Sequence, residues 1–318
     1  MSAAIPYHLR TNKNVERALF VELLRRLGPH LPRQARDYCY VGMGGPLLED
    51  FSAVQSVFGC REMISLEIDP YVLQRQKFNR PHCRVELRKQ ATGKFVDQYS
   101  TGERPLLAWF DHTKPHWKVQ LQEACDLLRK LPDFSIFKIS FASIPRYWNP
   151  PKKTDEVIPA RLAKLVEEFG GFGPFDDDDV TEANFHKTLF RIFKLAAAQT
   201  IPDSPMRVCR PLASYCYNDS TQMLTIAVIV GPSEKIEEVK ARADLRSWPY
   251  ANLKWDGPMD IDIPELSIRE RLAVEQKLPD ARVLEIHSEL GLRFESGLAK
   301  SRAALMRVPR FSGQRHPR

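Results

Sequence analysis

The chain has 318 residues, of which 43% are hydrophobic and 27% charged, and its formal net charge is +7. This is an ordinary soluble globular composition, enough for one large domain with additions or two small ones, and the dispersed charge permits a polyanionic partner without requiring one. No apolar stretch approaches the roughly 20 residues of a membrane helix, residues 1–17 lack the apolar core of a secretory signal, and the six cysteines form no CxxC pair, so a cytosolic protein with reduced thiols is expected.

Residues 14–31 carry apolar side chains at helical spacing through Val15, Leu19, Phe20, Leu23, Leu24 and Leu27, which predicts a helix ending at Gly28. A short buried strand is expected over 38–41, running into the glycine turn YVGMGGP at 40–46. A helix over 48–58 then presents Phe51, Val54, Val57 and Phe58 on one face. A strand at 63–67, a helix at 69–78 and an alternating strand at 84–89 follow. The apolar run 105–111 ends in an acid, and a helix at 119–131 leads to a strand at 134–141. Strand and helix thus alternate five times, which predicts a parallel sheet with helices on both faces.

Residues 147–175 break the alternation and read as an insertion with one short helix, 160–169, and a loop. Its aromatic residues Trp148, Phe169, Phe172 and Phe175 suit a substrate lid or simple packing. The four aspartates at 176–179 precede a long helix within 180–200, and favourable charge at a helix start explains them better than a metal. Strand-like runs at 206–217 and 223–230, joined by Asn218, Asp219, Ser220 and Thr221, predict an antiparallel hairpin at a sheet edge. Helices are expected at 233–243 and at 267–278, the second opened by a capping box from Ser267 to Glu270. The densest basic stretch is the tail at 302–318. The expected organisation is a helical leader at 1–37, a main domain at 38–232 with a lid insertion at 146–180, and a helical extension with a basic tail at 233–318.

Two motifs stand at an informative spacing. Gly42, Gly44 and Gly45 follow the first strand, and Glu67 in LEIDP closes the second, about 22 positions beyond the glycines. Glycines let a strand-to-helix turn bend tightly and let a ligand lie against bare backbone, while a carboxylate at the next strand tip can accept from both ribose hydroxyls. The pair predicts a nucleoside site, and by itself it fits a nicotinamide enzyme equally well.

Gln90-Ala91 after the third strand, Asp111 after the fourth and the closing hairpin extend the pattern. With them the chain resembles the class I S-adenosylmethionine-dependent methyltransferases over about residues 38–230. The resemblance implies a Rossmann-like α/β fold with a mainly parallel seven-stranded sheet, a C-terminal antiparallel hairpin and S-adenosyl-L-methionine as cofactor. It implies that Gly42, Met43, Gly44 and Gly45 lie under the methionine part, Glu67 and Ile68 at the ribose, and Gln90 and Ala91 at the adenine. Asp111 then stands near the methyl donor. Tyr40 occupies the place where the superfamily often has an acid. The segment FDHTKP at 110–115 differs from the NPPY-like sequence of enzymes that methylate base amines, and no set of metal ligands follows the fifth strand, so no metal is expected.

Within the superfamily the chain is most similar to uncharacterised bacterial proteins labelled O-methyltransferases. The implied activity is methyl transfer to oxygen of an unidentified acceptor, a small molecule or a protein rather than a nucleic acid. A hydroxyl acceptor needs its proton removed, and Asp111, His112 and His116 are the candidate catalytic groups, each histidine also reading as an ordinary surface or satisfied one. Arg10, Lys13 and Lys114 are candidate substrate-binding cations, while residues 7–13 read equally as a leader capped by Asn12 or Asn14. Two other readings stay open: a degenerate nucleotide-binding or assembly subunit, favoured by Tyr40, and an RNA- or DNA-directed methyltransferase using the basic surface.

Overall fold

The computed structural model describes residues 10–100, 102, 104–151, 156–219, 221–263 and 269. Residues 7–9 of the expected leader, the expected helix at 267–278 and the basic tail at 302–318 lie outside the described residues. Helix α1 (Thr11–Leu27) ends, as its sequence predicts, at Gly28, where a short 3-10 turn takes over. Its buried stripe runs through Lys13, Glu16, Arg17, Phe20, Leu23, Leu24 and Leu27, so three charged residues occupy the positions that an amphipathic helix gives to apolar ones. No side chain caps its first turn. Asn12, one of the expected caps, instead donates from Nδ2 to the Asn218 carbonyl (2.7 Å) and accepts at Oδ1 from the Ile263 amide (2.8 Å).

The strands are β1 (Cys39–Gly42), β2 (Glu62–Glu67), β3 (Val85–Lys89), β4 (Leu106–Asp111), β5 (Ile136–Ala142), β6 (Val208–Asp219), β7 (Thr221–Gly231) and β8 (Met259–Ile261). They form one sheet in the order β3-β2-β1-β4-β5-β7-β6-β8. Strands β1 to β5 are mutually parallel, β7 runs antiparallel to both β5 and β6, and β8 is parallel to β6. This is the doubly wound, mainly parallel sheet with a closing antiparallel hairpin expected from the sequence. The sheet has eight strands rather than seven, because β8 adds a three-residue edge too short for alternation to announce it.

The remaining helices are α2 (Glu49–Val57), α3 (Pro70–Asn79), α4 (Thr92–Gln98), α5 (Trp117–Lys130), α6 (Val157–Phe169), α7 (Phe185–Thr200) and α8 (Ser233–Arg242). Two apolar cores form, one on each face of the sheet. Leu23 of α1, Phe51 of α2 and Ile236 of α8 bury into the first; Leu127 of α5, Leu165 of α6 and Phe193 of α7 bury into the second. Strand β5 is buried along its whole length and feeds both, Ile136 entering the first core and Phe137 the second. A central strand covered on both faces requires this. Among the described residues no helix is long and apolar enough to cross a membrane.

The insertion packs onto the second core. Trp148 meets Trp117 edge-on at 4.5 Å and Phe185 at 5.3 Å, and Phe169 is buried while Phe172 and Phe175 lie against the same core. Arg161, itself buried, donates to Asn149 Oδ1 (2.8 Å) and to the Val180 carbonyl (3.1 Å). The aspartates that follow serve local structure. Asp176 closes a capping box on the 3-10 turn Asp177–Val180, and Asp179 pairs with Arg191 at 2.9 Å.

Candidate active site

A cleft of about 810 Å³ opens at the C-terminal ends of β1, β2 and β4 and beside the loop after β3. The chain crosses from one half of the sheet to the other between β1 and β4, and such a switch point is where open α/β sheets take ligands. The cleft is lined by Met43, Gly44 and Gly45 from the glycine turn, Glu67 and Ile68 from β2, and Gln90 and Ala91 after β3. Asp111, His112, Lys114 and His116 line it from the β4 side, and Arg10 and Lys13 from the start of α1. Gly42 is the one residue expected at the cofactor that does not line it.

The glycines have different physical reasons. A Cβ on Gly42 would come within 2.6 Å of the Tyr40 hydroxyl, so Gly42 makes room for that buried ring rather than for a ligand. A Cβ on Gly44 would overlap the Leu48 and Phe51 side chains, which seal α2 against the loop. Gly45 adopts φ 55°, a left-handed backbone that glycine takes without strain. The turn is then fixed from α3, where Gln76 Nε2 donates to the Gly45 carbonyl (2.8 Å) and Asn79 Nδ2 to the Pro46 carbonyl (2.9 Å). Tyr40 packs edge-on against Phe51 at 4.8 Å in the first core and does not line the cleft. A carboxylate does reach the cleft nearby, from Glu49 at the start of α2.

Asp111 is held by α1. One carboxylate oxygen, Oδ2, accepts from Lys13 Nζ at 3.0 Å and from an Arg17 guanidinium nitrogen at 2.9 Å. Arg17 also pairs with the buried Asp50 at 2.8 Å. Burial alone would raise the Asp111 pKa, but the charges of Lys13 and Arg17 outweigh it and hold the carboxyl well below its usual range. Burial lowers Lys13 and raises Asp50, in each case against the pull of the partner cation or anion. Asp111 is therefore a fixed anion and unsuited to removing a proton. Its other oxygen, Oδ1, is buried with no hydrogen-bond partner.

His112, the next residue, is only 8% exposed, and its Nε2 likewise has no hydrogen-bond partner. Burial brings its pKa down to about 4, with nearby Asp111 opposing and His116 adding to the fall. The imidazole is thus neutral at pH 7, and one of its two ring nitrogens carries a lone pair. The loop that carries it is folded back by Gln120, whose Nε2 donates to the Lys114 carbonyl (2.6 Å).

At the other end of the cleft, Glu67 Oε1 accepts from the amides of Ile68 (2.8 Å) and Asp69 (2.9 Å), which orients the carboxylate and leaves Oε2 to accept elsewhere. Asp69 caps α3 by accepting from the Tyr71 and Val72 amides. Ile68 and Val119 are 64% and 59% exposed and give the mouth two apolar walls. Glu123 of α5 accepts from Thr92 Oγ1 at 2.7 Å, and burial raises its pKa against that bond.

Sequence reasoning missed Arg17, Asp50, Glu49, Thr92 and Glu123. For Arg17 a signal existed: Lys13, Glu16 and Arg17 continue the helical stripe of Phe20, Leu23 and Leu27, so charges sit where the core should be. The other four lie in three separate segments, α2, α4 and α5, and only the folded sheet brings them together.

The sequence matches the family described as "Putative O-methyltransferase" over residues 5–310. No curated protein matches it. Among solved structures, it is similar to the "putative O-methyltransferase from Klebsiella pneumoniae" at 11% identity and TM-score 0.37, covering 73% of this chain and 83% of that one. N-methyltransferase NodS from Bradyrhizobium japonicum WM9 matches at 11% identity and TM-score 0.37, covering 69% and 98%. Spermidine synthase in complex with the transition-state analogue AdoDATO matches at 12% identity and TM-score 0.40, covering 88% and 74%. Likeness at this level carries no argument about activity. The cleft itself suits an adenosyl ligand with a charged amino-acid end: a free carboxylate oxygen on Glu67, apolar walls at Ile68 and Val119, and an orphaned carboxylate oxygen on Asp111. With a match over almost its full length, the chain belongs to the family described as "Putative O-methyltransferase", within the class I S-adenosylmethionine-dependent methyltransferases, and S-adenosylmethionine is its cofactor.

Proposed function

We propose that the protein transfers a methyl group to an oxygen of its acceptor, and that His112 takes up the acceptor's proton. The observation that carries this reading is the neutral, buried imidazole whose Nε2 has no partner in the protein and whose side chain lines the cleft beside Asp111. S-adenosylmethionine, when bound, supplies a methyl group activated by a positively charged sulfur. The chain's residues then bind, orient and exclude water. Glu67 would accept from the ribose hydroxyls through Oε2, and Ile68, Gln90, Ala91 and Thr92 would flank the adenine. Glu49 and Asp111 would receive the amino group, taking the role that Tyr40 does not fill. Arg10 and Lys114, with Lys13 behind them, give the cleft a basic side that suits a carboxylate on the ligand or on an acidic acceptor.

Titration calorimetry with S-adenosylmethionine and with its demethylated product tests the cofactor site. Both bind the unaltered protein, and Glu67→Ala weakens them by about 10- to 100-fold, the equivalent of one charge-assisted hydrogen bond of about 1.5–3 kcal/mol. Absence of binding to the unaltered protein would sink the reading.

The oxygen target is tested by His112→Gln, assayed with a panel of phenols, alcohols and carboxylic acids. With hydroxyl acceptors, kcat falls by about 10²- to 10⁴-fold while cofactor affinity is kept. In the unaltered enzyme the rate stays level from pH 7 downward until His112 gains its proton near pH 4, the value to which burial has pulled it. A variant with full turnover would show that the proton leaves by another route.

A further inference from the structure

A second cluster of chemically capable side chains lies outside the cleft. His186 at the start of α7, Cys216 on β6 and Asp260 on β8 bring a ring nitrogen, a thiol sulfur and a carboxylate oxygen within 4.8 Å of one another. None of the three lines the cleft. Cys216 and Asp260 are register partners across the parallel β6–β8 pair. His186 is 5% exposed and Cys216 4%, while Asp260 is exposed. His186 Nδ1 is buried and has no hydrogen-bond partner, which is costly for an imidazole nitrogen unless something fills the place.

We propose that His186, Cys216 and Asp260 form a site for a thiophilic divalent transition metal, Zn²⁺ or its analogue Co²⁺. One nitrogen, one sulfur and one oxygen ligand are the set that tetrahedral zinc takes, and three protein ligands leave a fourth position for water. Metal–ligand bonds of about 2.0–2.3 Å place tetrahedral ligand atoms about 3.4–3.8 Å apart, so the cluster needs to close by about 1 Å. Asp260, on the solvent side, is free to make most of that movement. On binding, the Cys216 thiol gives its proton to solvent and the thiolate and carboxylate balance the two charges of the metal. Lys187, the next residue along α7, donates to Asn184 Oδ1 at 3.1 Å, and its charge faces both His186 and Cys216, favouring the thiolate. The ligands come from positions 186, 216 and 260, so no local spacing in the sequence reveals them. The site would clip the three-residue edge strand β8 to β6 and α7.

The full chain, stripped with a chelator and titrated with Co²⁺, tests this. It takes up one Co²⁺ with a thiolate-to-metal charge-transfer band in the near ultraviolet and tetrahedral visible bands, and Zn²⁺ displaces it. Cys216→Ser abolishes the charge-transfer band. His186→Gln and Asp260→Asn each weaken binding at least tenfold, since even groups behind the ligands are worth about 10- to 100-fold. Asp260 is exposed, so its variant reports on binding without disturbing the core. No charge-transfer band, a band that survives Cys216→Ser, or unchanged affinity in Asp260→Asn each overturns the proposal.

Discussion

Asp111→Asn is expected to cost about 3–5 kcal/mol of folding stability, which is a large part of the roughly 5–15 kcal/mol that a domain of this kind has. The asparagine keeps the shape and can still accept one hydrogen bond, but it carries no charge. Arg17 would keep its pair with Asp50, whereas Lys13 would lose the carboxylate that its Nζ meets at 3.0 Å. A buried cation loses its charged hydrogen bond to Asp111, and the desolvation that this bond offsets sets the magnitude. Lys13→Met in the same chain removes that cation and restores most of the loss, because Arg17 and Asp50 remain paired. Urea unfolding of the two single variants and the double variant measures the coupling. A single-variant loss below about 1 kcal/mol would mean that water reaches the cluster and screens it. Cofactor affinity falls too, since Asp111 lines the cleft.

The second large effect lies one layer deeper. Lys138 sits in the middle of β5, fully buried, with Nζ 2.7 Å from Glu16 and 3.6 Å above the centre of the Trp109 ring. Burial pulls its pKa down to about 8, against the opposing pull of Glu16. Lys138→Met leaves the Glu16 carboxylate buried without its cation, at a cost of about 3–5 kcal/mol. Glu16→Leu together with Lys138→Met replaces the pair with apolar atoms that fit between Phe20 and Trp109. That double variant is expected within about 1 kcal/mol of the parent, or more stable. Thermal unfolding followed by circular dichroism checks both. Additive losses in the double variant would show that the two side chains act separately.

The sheet was legible because its strands are short, apolar and separated by helices of clear period: β1 to β7 fall within a residue or two of where alternation and apolar runs place them. Strand β8 was not, since Met259–Ile261 is three residues long and owes its pairing to β6. Helix α4 was missed for a similar reason, being seven residues with few apolar positions. The site residues that the resemblance implied sit around one cleft, apart from Gly42. Hidden from sequence was the state of Asp111, which depends on charges 94 and 98 positions away on α1. A lysine interrupting the apolar run FSIFKISF and charges continuing the α1 stripe were the traces of that arrangement.

Helix α1 also sets an order of events. It is the first described element to leave the ribosome, yet the groups that neutralise or bond it arrive in turn at Asp50, Asp111, Lys138, Asn218 and Ile263. The last of these bonds spans 251 positions. Until β4 and β5 are made, Lys13, Glu16 and Arg17 have no dry place to go, so a lone α1 stays in water and contributes late, as contacts of long sequence separation do. The wall that Lys13 gives the cleft is therefore completed only after the sheet is built. A chain interrupted during synthesis would carry the glycine turn and Glu67 but not the finished pocket, and cofactor capture would report that the whole domain has been assembled.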